Sequence, residues 1–126
     1  MMLTLIYIGI GGFIGSILRF LLSRYLNNFT VNFPLGTLCV NVLGSFVLGF
    51  ILASVASGKV IFANLRDLLT IGLIGGFTTM SSFAYESFRL TELNEYLLFG
   101  LNVSLNIILS LIAVYLGKEL SILIYK

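Results

Sequence analysis

Between Arg24 and Lys59 the chain carries no charged side chain, and residues 34–56 of that interval are almost wholly apolar. A hydrocarbon core of about 30 Å takes about 20 helical residues to cross, so a stretch of this length belongs in a bilayer. Three further apolar runs of similar length accompany it. Read against their punctuation, they predict four membrane-spanning helices over 3–25, 34–56, 68–90 and 96–124. The first ends in the polar segment NNFTVN, and Pro34 suits the first turn of the second. Ser57-Gly58-Lys59, then Asn64, Arg66 and Asp67, separate the second from the third. Connections this short make neighbours antiparallel and put both termini on one side. The first run lacks the charged n-region and cleavage site of a signal peptide and reads as a retained span. Residues 1–126 thus form a single all-α transmembrane domain.

Composition agrees: 59% of the residues are hydrophobic and only 10% charged, against about a quarter charged in a soluble domain. So few charges cannot clothe a soluble surface, which makes this an integral protein of the cell membrane. A net charge of +2 and short loops leave no surface for nucleic acid. The single cysteine, Cys39, cannot form an internal disulfide, and histidine is absent. That excludes histidine-bound zinc chemistry and a Ser-His-Asp triad, so no enzyme is expected.

Polar and small residues inside the spans fall into stripes. Gly12, Gly15, Ser16 and Arg19 share one face of the first helix; Thr37, Asn41, Gly44, Ser45 and Leu48 trace one on the second, beside Gly49. On the fourth, Asn102, Asn106 and Ser110 climb in steps of four, extended by Ala113 and Gly117. Small residues let membrane helices approach, and amides bond across them. Intramembrane polar groups also mark paths for ions. The asparagine ladder is open to both readings, and the path is preferred.

The third run carries GGFTTMSSF at residues 75–83. Gly75-Gly76 serves either close packing or a break in the helix. A break frees carbonyls that only protein or a polar cavity can satisfy, and such carbonyls at membrane mid-depth can hold a small monovalent cation. If helix resumes, Thr78, Ser81, Ser82, Tyr85 and Glu86 share one face, with Phe83 and Met80 on its flank. A break with a site is expected over residues 75–78. Near the span ends, Lys59, Arg66, Lys118 and Lys126 stand against Arg19, Arg24 and Arg89. This near balance under the positive-inside rule points to a chain that inserts both ways and pairs as an antiparallel, dual-topology homodimer.

Three segments carry a resemblance. GLIGGFTTMSSF, residues 72–83, resembles the third-helix signature G-x-x-G-G-x-S/T-T-F-S-T-F of the CrcB/Fluc fluoride channel family. GGFIGSILRF, 11–20, and PLGTLCVNVLGSFVLG, 34–49, are similar to that family's first- and second-helix patterns, in the same order. The resemblance implies a fluoride-selective channel that exports fluoride passively and protects a microbial cell. It implies an antiparallel dimer with two pores and a structural sodium ion at the interface. By motif position, the backbone carbonyls of Gly75 and Thr78 hold sodium. Asn41 and Ser81 donate to fluoride, Phe83 presents its ring edge, and Arg19 lies at a vestibule. Asn102, Asn106 and Ser110 form the polar track. Glu86 is expected near a mouth, tied up by hydrogen bonds or a cation. Met80 stands where the pattern has phenylalanine, and Asn102 where relatives often carry tyrosine. These departures also suit one subunit of a heterodimer with a paralogue. A small proton-coupled multidrug exporter is the rival of another class, but it needs an acidic residue deep in its first helix. The acidic residues here all lie from Asp67 to Glu119.

Overall fold

The computed structural model describes residues 1–58 and 62–125; Lys59 and Lys126, two of the charges weighed for orientation, lie outside the described residues. The elements are α1 (Met2–Asn27), α2 (Leu35–Ala56), α3 (Ala63–Asp67), a π-helical segment (Leu68–Ile74), α4 (Gly75–Phe77), α5 (Met80–Glu92) and α6 (Tyr96–Ile124). There is no strand among the described residues. Four stretches are long and apolar enough to cross a membrane: Met2–Asn27, Leu35–Ala56, Ala63–Glu92 and Tyr96–Ile124. The third starts before its expected residue 68. Arg66 and Asp67, read from sequence as connection, are helical: the Arg66 N–H donates to Phe62 O at 2.9 Å, Thr70 Oγ1 donates to Arg66 O at 2.8 Å, and Thr4 of α1 reaches Asn64 at 3.3 Å.

α2 packs on α6, α1 packs on the π-helical segment and α4, and α5 rests on α6. Glycine makes these approaches possible. A Cβ on Gly117 would run into the Phe46 carbonyl and come within 2.9 Å of the Phe50 nitrogen; Gly49 meets the Val114 carbonyl from the other side of the same seam. Ser54 and Ser121, both buried, join their hydroxyls across it at 2.8 Å. Large apolar side chains cover the outside of all the spans. That surface suits lipid and not water.

α5 ends in a Schellman turn, which fixes the short step into α6. Asn94, at φ 59°, takes the left-handed position that asparagine tolerates better than most residues. The amide of Glu95 closes on Leu90 O at 2.9 Å and that of Asn94 on Thr91 O at 3.1 Å.

The third span is broken, one step beyond the glycine pair. Gly75 and Gly76 are helical; Thr78 (φ −79°, ψ 157°) and Thr79 (φ −150°, ψ 115°) are extended. Neither glycine is the break itself. Gly76 is a packing residue, since a Cβ there would sit 2.7 Å from Gly12 O, whereas Gly75 is exposed with nothing closer than Thr70 O at 3.9 Å.

Candidate functional site

Two extended residues inside a membrane leave backbone groups without helical partners, and each such group is costly in hydrocarbon. Side chains meet that need. The Thr79 N–H, which a continuing helix would direct to Gly75 O, donates to Asn41 Oδ1 at 2.8 Å. Asn41 Nδ2 returns a bond to Thr79 O at 3.2 Å. Helix then restarts under a cap: Thr79 Oγ1 accepts from Ser82 N at 3.1 Å, the N–H that an unbroken helix would give to Thr78 O. Replacing Thr79 by valine removes this cap. Loss of about 1 kcal/mol is expected, read as a lower unfolding midpoint in detergent; an unchanged midpoint would mean another group serves Ser82.

A one-way chain of donors leaves Thr79 and returns to the same span. Asn41 Nδ2 donates to Asn106 Oδ1 at 3.0 Å, Asn106 Nδ2 to Asn102 Oδ1 at 2.9 Å, and Asn102 Nδ2 to Ser87 Oγ at 2.9 Å. Ser87 Oγ closes on Phe83 O at 2.7 Å. The chain links the break to α2, α6 and the restarted helix α5, and bonds aligned head to tail polarise one another. Ser87 and Thr79 were not singled out by sequence reasoning. Thr79 lies inside a run of hydroxyls, and Ser87 is a common residue whose meaning comes only from facing Asn102.

Beside this chain lies a groove of about 350 Å³. Asn41 and Ser45 of α2 and Asn106 and Ser110 of α6 line its polar side; Met80 and Phe83 close it from α5. The restarted helix opens on the groove with the positive end of its dipole. The asparagine ladder divides here. Asn106 and Ser110 face the groove, whereas Asn102 is 0% exposed and acts inside the donor chain. Phe83 is buried, while Met80 is 74% exposed. Ser81 is exposed and lies off the groove lining, its hydroxyl 3.3 Å from Thr79 Oγ1.

Arg19 faces a second cavity, of about 540 Å³, shared with Ser23, Thr37, Ser82 and Glu86. Thr79 lines both cavities, so the break is where the two adjoin. Thr37 donates to Glu86 Oε1 at 2.8 Å, while Glu86 Oε2 is buried with no partner among the described residues. Glu86 is therefore held by a hydrogen bond at the wall of a cavity that Arg19 also lines.

The break also bears on a cation. Asn41 has taken the N–H that would cover Gly75 O, and Thr79 Oγ1 the one that would cover Thr78 O. Two carbonyls, neutral hard oxygen donors, are thereby released within four residues, and this donor set fits a small monovalent cation.

Residues 6–118 match the family model described as CrcB-like protein, Camphor Resistance (CrcB). The chain belongs to the CrcB-like family. Its relatives include the fluoride-specific ion channel FluC 1 of Methanosarcina acetivorans, 50% identical over 117 residues, which cover 93% of this chain and 89% of the relative. The fluoride-specific ion channel FluC of Campylobacter jejuni is 44% identical over 118 residues, 93% of this chain and 96% of that protein. The protein of the same name from Clostridium novyi is 40% identical over 121 residues, 95% and 94% of the two chains. In this CrcB-like chain, both the break and the groove fall inside the matched segment.

Proposed function

We propose that this CrcB-like protein is a fluoride channel of the cell membrane, exporting fluoride passively and lowering its concentration inside the cell. The observation that carries this reading is the groove at the break, where Asn41, Ser45, Asn106 and Ser110 bring amides and hydroxyls together inside otherwise apolar spans. The names of the relatives supply the ion. Fluoride is small and strongly hydrated, so a path for it must replace water with donors, and the positive rim of an aromatic ring such as Phe83 assists. Both amide protons of Asn41 are engaged, on Thr79 O and Asn106 Oδ1. An anion gains Asn41 by taking the place of one of these acceptors. Arg19 attracts the ion at the vestibule, and the bond from Thr37 draws charge density from Glu86 there.

The functional unit in this reading is an antiparallel homodimer. Met80, exposed on α5, is then covered by the partner. Gly75 and Thr78 of each chain offer their carbonyls to one shared sodium ion. The positive charge of that ion would offset part of the anion's charge nearby.

The test is fluoride efflux from liposomes holding only this purified chain, with a potassium gradient, with and without valinomycin, and with chloride as the control anion. Rapid efflux that requires valinomycin and excludes chloride is the expected result. Silence from a folded preparation would overturn the homodimeric channel. Restored efflux on adding a co-expressed paralogue would then identify a heterodimer subunit.

A further inference from the structure

A third cavity, of about 380 Å³, lies on the same seam of α2 and α6 as the groove. The linings follow one another in helical steps of four, from Ser45 to Gly49 to Ala53 on α2 and from Ser110 to Val114 to Lys118 on α6. Residues four apart share one face of a helix, so this lining lies on the same faces of α2 and α6 as the groove, one to two turns further from the break. Its chemistry changes along the way. Past Ser110 the lining offers no side-chain donor until Lys118 and Ser57. The separation from residue 110 to 118 is about 12 Å at the helical rise, a long apolar stretch for a hydrated anion.

Lys118 is the ionisable residue of this third cavity, and no carboxylate lines it. Lys118 makes no ion pair or hydrogen bond among the described residues. It also ends the charge-free run of α6, which begins at Tyr96. The flexible four-carbon stem lets Lys118, exposed near the end of α6, cover apolar surface while its ammonium stays at the polar end of the lining. Arg19 stands in the cavity at the opposite side of the break.

We infer that Lys118 is the anion-attracting charge at the far end of this α2–α6 seam, drawing fluoride towards the apolar stretch that leads to Ser110. The inference rests on the fluoride-channel reading. It assigns the two sides of the break different cations, Arg19 from α1 and Lys118 from α6.

Fluoride efflux from vesicles of zwitterionic lipid tests it, using the wild-type chain, K118Q and K118R at low and high salt. Low salt leaves the field long-ranged, whereas at about 1 M the Debye length is about 3 Å. K118Q is expected to slow efflux roughly tenfold at low salt, the scale of electrostatic focusing, and much less at high salt. K118R should restore most of the rate, because it restores the charge. Equal rates for the wild type and K118Q would overturn the inference. So would a K118Q defect independent of salt, or a K118R chain as slow as K118Q. Silence of the wild type is a separate result: it overturns the channel reading, and this inference falls with it. Using zwitterionic lipid removes anionic headgroups as a competing partner for the lysine.

Discussion

Asn41→Ala is expected to slow fluoride efflux severely and to destabilise the fold at the same time. Asn41 bonds both backbone groups of Thr79 and also Asn106 Oδ1. Truncation leaves these groups unpartnered inside the membrane, at about 1–3 kcal/mol for each buried group left unsatisfied. Such costs are not additive, because water admitted to the groove would meet part of the need. A drop in stability of about 3 kcal/mol is the expected order. Losing a donor to the passing anion, at about 1.5–3 kcal/mol, corresponds to roughly 10- to 100-fold in rate. Efflux and detergent unfolding should be measured on the same preparation. Asn106→Ala is the informative partner: it removes a groove donor and the middle of the donor chain but leaves both Thr79 bonds intact. It should lose flux with a smaller loss of stability. An Asn41→Ala chain that conducts and melts as the wild type does would show that neither the break nor the groove depends on this amide.

Gly117→Val is expected to prevent folding, where Gly100→Ala is harmless. At Gly117 an added Cβ meets the backbone of Phe46 and Phe50, which cannot swing aside as a side-chain tip can. Relief requires α6 to move away from α2. Overpacking alone costs about 1–3 kcal/mol. Here separation also breaks the Ser54–Ser121 contact and opens the seam that the two helices share. Gly100 has nothing within 4 Å of an added Cβ, and alanine there gains up to about 1 kcal/mol of helix propensity. The yield of monodisperse protein after extraction, compared for the two variants, checks the contrast. Equal yields would mean the seam is loose enough to reposition.

Much of this fold is legible in the residue order. Long charge-free runs can only be membrane helices, and residues such as Pro34 and the NNFTVN segment mark where they stop. The break in the third span was legible as a region, though its position was not. Gly75-Gly76 drew attention because glycine weakens helices, yet both stay helical. Gly76 is there to admit Gly12, and the unwinding falls on two threonines. β-branched residues accept extended backbone readily, but that preference is too weak to mark a break from sequence. What stabilises it is Asn41, 38 residues away along the chain. The start of the third span was misread for a related reason. Arg66 and Asp67 look like a connection because charge marks the end of an apolar run, yet the helix passes through both.

Residue order by itself therefore determined the class: four apolar spans, a weak point in the third, and a scarcity of charge that leaves no alternative to a bilayer. Those are local or summed properties, set by how each segment partitions between water and lipid. Which polar group satisfies which was decided only by tertiary structure. Asn41 and Asn106 lie 65 residues apart, yet their amides meet at 3.0 Å. The same packing hides Asn102 in the donor chain, leaves Asn106 and Ser110 on the groove, and lines up Lys118 beyond them. In a membrane interior every polar group needs a partner, and only the folded arrangement of helices fixes which one it finds.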